Sequence, residues 1–427
     1  MRTAGLNLDQ APQLDIPLRF FLTAPLFGVA AGVLLAVLGA ELLATPWHPH
    51  TVALAHLVTL GVLTMSMLGA LYQLLPVVMG VEVPGARWSR WLHPVFTGAV
   101  LLLAAGLLLG LPVLLVAALV LLAASLLPLL GQHVWCLARG ASHGPFAPLL
   151  RLALGALLGT IALGLLFGSG HAMGWWPLPR QAAMPVHVYW SLGGWVGGLI
   201  ASVGMTVLPM FYIAPPFPRG LVLSVLVGLS AMLLAAPLVM GLSIGPGWSL
   251  LPLGCGAIAL AAFTGGLLRL LRARRRKVAD VSLRYWEGGL LAAWLALVPG
   301  ALHAVWPHPR WLFAFGVVYL LGFAYSVLSG MLCKIVPFLV WMNRFSHLAG
   351  KTPIPMMGEL LPRRHAQRQL ACHVAAVLLL TAAALAPYDP LVRLGGLALA
   401  LSSGYLWANL LHAALFRPAT PAAQPSG

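Results

Sequence analysis

The fold class predicted from this sequence is an all-α transmembrane helix bundle of about twelve spans. Three observations lead there. The chain is 61% hydrophobic and 7% charged with a mean hydropathy of +0.95, which no soluble domain carries. Apolar runs long enough to cross a ~30 Å hydrocarbon core recur along its whole length. Three of those runs are variants of one pattern, His56–Gly80, His187–Tyr212 and Phe315–Trp341. Aligned on Pro76, Pro209 and Pro337, each has a glycine fifteen residues earlier, at Gly61, Gly194 and Gly322. Each also has a tiny residue seven before the proline, at Gly69, Ser202 and Gly330. Pro209 follows Pro76 by 133 residues, and Pro337 follows Pro209 by 128, so the repeat is far longer than a solenoid unit. Like helices a third of a chain apart predict a pseudo-threefold bundle.

Taken in order, the predicted spans are 18–43, 54–79, 94–110, 112–137, 149–172, 185–212, 220–242, 248–271, 285–305, 311–340, 367–387 and 389–416. Span one is preceded by residues 1–17, which hold Asp9 and Asp15 and no apolar core. No cleavable signal is expected there. The break between spans three and four rests on Gly110-Leu111-Pro112. Residues 417–427 read as a short disordered tail.

Loop charge orients the bundle. Loops after even-numbered spans hold Arg87, Arg90, Arg139, Arg219, the run 272–277, Arg344, Lys351, Arg363 and Arg364. Loops after odd-numbered spans hold Arg180, Arg310 and, by one reading of the boundary, Arg393. Positively charged loops stay inside, so both termini are expected in the cytoplasm of a bacterial inner membrane. The same asymmetry accounts for the net charge of +16 without a nucleic-acid partner. The run 272–277 reads as an anchor to anionic lipid. Four scattered cysteines with no CxxC indicate neither a disulfide framework nor a zinc knuckle.

Histidines cluster at the other, outer end. The loops before the repeated helices read Trp47-His48-Pro49-His50, then His171 with Trp175-Trp176-Pro177, then His303 with Trp306-Pro307-His308-Pro309. Tryptophan and proline suit an interfacial turn; the histidines are surplus to that role. His48 and His50 are candidates to share copper or zinc with His56 or His308, or else are solvated interface residues. His56 and His187 begin two of the repeated helices, and an imidazole in an apolar helix needs a carbonyl, water or metal as partner. Below His187 one face reads Ser191, Gly194, Gly198, Ala201 and Met205. That strip serves either close helix packing or a planar macrocycle hung from the imidazole. Met65, Met67, Met205 and Met210 are core packing or soft copper ligands. Lys334 is expected to snorkel to the headgroups. Only Glu41 and Glu287 are placed within spans, which argues against a proton-driven carrier.

With histidines at the outer ends of spans two and six, the bundle resembles subunit I of the haem-copper oxidases. The stretch His56–Gly80 with the following Val81–Arg87 is similar to the NnrS family, twelve-span proteins carrying haem and copper and linked to nitric oxide stress. The resemblance implies haem b with copper near the outer face, and His56 and His187 as cofactor ligands. His48, His50, His303 and His308 are further metal candidates. A periplasmic electron donor or a small gas ligand would be the partner beside the bilayer itself. Two departures matter. Phe315 and Val317 stand where histidines align on span ten, and span seven has no histidine. The six-histidine dioxygen site is therefore missing, and terminal oxidase activity is not expected. A carrier or channel, and an assembly scaffold, are the rival expectations from other classes.

Overall fold

The computed structural model describes residues 10–140, 144–176, 179–242, 246–275 and 280–417. His143, Arg276, Lys277 and the predicted tail from 418 onward lie outside them. Among the described residues, twelve helices are long and apolar enough to cross a membrane, the number expected. They are Asp15–Leu43, Pro49–Met79, Ala86–Leu109, Pro112–Arg139, Phe146–Met173, Ala183–Tyr212, Arg219–Val239, Leu250–Ala273, Val281–Val305, Pro309–Arg344, Arg363–Leu385 and Asp389–Leu415, called spans one to twelve. Helices satisfy every backbone group internally, as hydrocarbon requires.

Helices run past the apolar runs that announce them. Span three starts at Ala86 rather than 94, because Arg87, Trp88 and Arg90 are interfacial residues within the helix. Span two starts five residues early, at Pro49. Asp15 opens span one, and Asp389, already the first residue of the predicted span 389–416, opens span twelve, so the carboxylates within spans are not limited to Glu41 and Glu287. The break at Gly110 is as expected: its φ is +64°, and Pro112 opens span four.

Burial sorts the twelve helices. In the most apolar stretch of spans two and six 67% of residues are buried, and in span ten 56%, against at most 44% in the other nine. These three are the inner helices, and each meets the span before it in the same way. A methyl group on Gly69 would strike Phe20 and Phe21 of span one at 2.8–2.9 Å. One on Gly330 would strike Tyr285 of span nine at 2.5 Å. Ser202 Oγ donates to the Phe146 carbonyl of span five at 2.9 Å. Higher up, Gly61 faces Phe27, Gly194 faces Ala156, and Gly322 faces Ala292. Spans one and twelve close the ring, with the Gly32 and Gly396 backbones in contact.

All three inner helices change winding in their upper halves. Leu57–Thr64, Tyr189–Gly197 and Val317–Tyr325 are π-helical, and each segment ends twelve residues before Pro76, Pro209 or Pro337. Side chains join these wide turns. Trp195 Nε1 donates to Thr64 Oγ1 at 3.1 Å, and the Tyr319 hydroxyl donates to the Leu192 carbonyl at 2.8 Å.

At the arginine-bearing end Lys334 does not snorkel. Its Nζ lies 2.6 Å from Asp280 Oδ2 and 4.3 Å from the Tyr212 ring centre, and its side chain is 12% exposed. Asp280 also caps span nine through Leu283 N at 2.9 Å and accepts from the Tyr212 hydroxyl at 3.1 Å. An ion pair with a local anchor keeps the ammonium inside rather than at the headgroups.

Candidate functional site

Two of the histidines at the loop end begin helices. His48 is the N-cap of span two and accepts from His50 N through Nδ1 at 3.3 Å; His308 caps span ten and accepts from Arg310 N at 3.2 Å. In both, proline follows at the first helical position, where its missing N–H costs nothing. Their Nδ1 atoms thus have a structural task that the sequence pattern did not reveal. His48 and His50 come together with Glu41; neither His56 nor His308, offered above as partners for a shared ion, joins that cluster. His171 is exposed at the end of span five.

His56 and His187 sit two helical turns inside their helices, the eighth residues of Pro49–His56 and Arg180–Val188. His56 Nδ1 bonds the Val52 carbonyl at 2.8 Å, which leaves Nε2 as the acceptor nitrogen. His187 lies edge-on to Phe167 with ring centres 5.8 Å apart. The Thr160 carbonyl is near its ring, yet its buried Nδ1 makes no hydrogen bond. The orphaned Nδ1 of His187 is a nitrogen that a metal ion could use.

A macrocycle does not fit beneath His187. Gly194 packs on Ala156 of span five and Leu233 of span seven, and Gly198 packs on Ala153. Neighbouring helices thus fill the upper part of the strip, while Ala201 lower down lines an adjoining cavity. Of the two uses open to that strip, it serves packing.

The open space lies on the neighbouring face. A cavity of about 380 Å³ is enclosed by spans six to ten, with Trp47 from the first loop at its rim. Such a volume is in the range that holds a small organic ligand. Its polar lining, Tyr189, Ser249 and His303, lies near the loop end of the spans. Below, one wall is an aromatic ladder on span ten. Phe315 stacks on Tyr319 at 5.6 Å, and Tyr319 meets Phe323 edge-on at 5.3 Å. Gly193 and Gly197 of span six and Gly256 of span eight keep the other walls low. The Tyr319 hydroxyl is already bonded, so this wall presents ring faces rather than a free donor.

His303 is the one imidazole in the described lining. Its Nδ1 faces the His308 carbonyl at 3.3 Å, the arrangement that fixes a tautomer with Nε2 free as ligand. The lining residues therefore fit a flat apolar group ligated by nitrogen, and the face under His187 does not. Two further buried histidines have a structural partner on one ring nitrogen, while His133 Nε2 and His373 Nδ1 are buried without one, as His187 Nδ1 is. His373, deep in span eleven, faces Ser326 Oγ at 2.9 Å and the Leu321 carbonyl at 3.1 Å; His133 bonds the Leu129 carbonyl at 2.5 Å. The cavity was beyond sequence reasoning, because five separate spans define it. The only signal was the pairing of His303 with His308 across five residues.

Comparison with known family models and with curated protein sequences gives no match.

Proposed function

We propose that this membrane protein holds a haem-type cofactor in the cavity between spans six and ten, on an oxidase-like pseudo-threefold bundle. The observation that carries the reading is His303: an imidazole at the rim of an apolar, aromatic-walled cavity, with one ring nitrogen tied and the other free. His303 would supply the axial nitrogen, the span-ten rings would stack on the flat face, and Trp47 would shield the rim. Haem, when bound, supplies an iron that takes a small ligand such as nitric oxide or passes electrons. The His56–His187 pair would hold copper. With no histidine on spans seven or ten, the reading is a sensor, scavenger or electron carrier around nitric oxide or copper, not a terminal oxidase. Arginine-rich loops support placing both termini on the cytoplasmic side of a bacterial inner membrane.

The test is a titration of the detergent-purified protein with haemin, followed by Trp quenching. Equimolar binding is expected, weakened at least tenfold by His303→Ala and by Gly197→Leu, which fills the cavity. Equal binding by both variants would place the cofactor elsewhere.

One observation favours a second reading, a carrier of small apolar molecules. Ile200 lines the large cavity and also a void of about 50 Å³ among spans two, six and ten. Apolar space thus continues toward the bundle centre. Uptake of a labelled apolar solute into proteoliposomes, increased by Ile200→Ala, is the result that reading requires.

A further inference from the structure

The turn ending span one and the first turn of span two are fixed against each other. Glu41 sits in the 3₁₀ turn Gly39–Leu43. Ala40 N donates to Asp389 Oδ1 of span twelve at 2.8 Å, and Gly39, at φ +59°, leaves room for that carboxylate. Thr51 Oγ1 donates to the Leu42 carbonyl at 2.9 Å, binding span two to the same turn. His48, the helix N-cap, stands between them. Backbone on both sides is thus set independently of Glu41, His48 and His50 side-chain contacts with one another.

Three side chains converge on this frame. Ligand atoms of Glu41, His48 and His50 all lie within 4.8 Å of one another. His50 Nδ1 is 2.8 Å from Glu41 Oε1, and the two imidazole rings meet edge-to-face at 4.6 Å. Glu41 is exposed and both histidines are half-buried, so ions reach the group from solvent. Bonds of ~2.0–2.2 Å to a central ion put ligand atoms roughly 3–3.5 Å apart, within reach of small rotamer changes from these positions.

We propose that Glu41, His48 and His50 form a binding site for a divalent zinc- or copper-type ion at the loop end of the bundle. Two imidazoles and one carboxylate select such ions over magnesium or calcium, which prefer all-oxygen sites. Three protein ligands leave a position for water. The site is independent of the haem reading, although Trp47, beside His48, lines the rim of the cavity. An ion here holds the Trp47 loop in place over that rim. The competing structural account is that the hydrogen bond between His50 and Glu41 only staples the loop.

The experiment is calorimetric titration of full-length protein, purified without a histidine tag, with zinc chloride, copper(II) chloride and magnesium chloride. The Glu41, His48 and His50 group is expected to take one zinc or copper(II) ion, in addition to any copper held at His56 and His187, and magnesium is expected to give no heat. Glu41→Gln and His50→Gln are expected to weaken that binding at least tenfold. His48→Asn separates metal from folding, because asparagine is a good N-cap but cannot replace the imidazole. It should melt like wild type without metal and lose the metal-induced rise in melting temperature. Copper(II) EPR should show coupling to two nitrogens in wild type and to one in His50→Gln. Wild-type affinity in all three variants, or no zinc or copper binding by wild type, would overturn the proposal.

Discussion

Trp195 Nε1 on span six donates to Thr64 Oγ1 on span two at 3.1 Å, joining two π-helical segments 131 residues apart. A π turn steps outside the regular hydrogen-bond ladder, so its polar groups seek partners from neighbouring helices. The Leu321 carbonyl in span ten accepts from His373 at 3.1 Å, and the Leu192 carbonyl in span six accepts from Tyr319. Thr64→Val keeps the shape and removes the acceptor. It should cost about 1–3 kcal/mol by leaving a buried indole N–H unpaired, and Thr64→Ser should restore most of it. Thermal unfolding in detergent measures both.

Inner-helix glycines should divide sharply from lipid-facing ones. Gly69→Leu and Gly330→Leu push into Phe20, Phe21 and Tyr285 and should each destabilise by about 1–3 kcal/mol. Gly98 and Gly131 have open space where a Cβ would stand. Replacing either by alanine should be neutral or stabilise by up to ~1 kcal/mol. Equal melting temperatures for both groups would mean that the repeated helices do not pack as described.

How much of this was legible in the sequence depends on the range of the interactions. The twelve spans were readable because each is a local apolar run, and Gly110 and Pro112 marked a break by local chemistry. Gly69, Ser202 and Gly330 could be aligned, although their partners on the preceding spans could not be named. The π segments left no trace in the residue pattern, since they are created by packing among three helices. Lys334 was misread because Asp280, its partner, lies 54 residues away. Glu41 was read by its position in a span, and its closeness to His48 and His50 depends on the turn at Gly39.

The ion pair between Asp280 and Lys334 gives a pH dependence with a definite sign. Burial opposes the charge on Asp280, but Lys334, Leu283 N and the Tyr212 hydroxyl outweigh it and hold the carboxyl below its usual range. A carboxyl lowered by folding contributes stability that is complete above its unfolded value of about 3.9. That contribution falls away as the pH drops through the lower folded value. Asp280→Asn should flatten this acid limb of the stability profile. Lys334→Ala should cost more than the paired change Lys334→Met with Asp280→Asn, because it strands a half-buried carboxylate.

Orientation has its own test. A cysteine at position 47 should react with an impermeant maleimide added outside intact cells, and one at position 275 should not. The opposite pattern would reverse the bundle and put the histidine-bearing end in the cytoplasm.

The central claim is that a cofactor is held toward the histidine-bearing end, and the absorption spectrum of the protein as purified tests it most directly. Wild type, His303→Ala, His56→Ala and His187→Ala are compared, with iron and copper measured in each. The account predicts a Soret band in wild type that is lost in His303→Ala. It also predicts that His56→Ala and His187→Ala each lose one copper equivalent relative to wild type while their Soret band remains. A colourless wild type containing neither iron nor copper would contradict it.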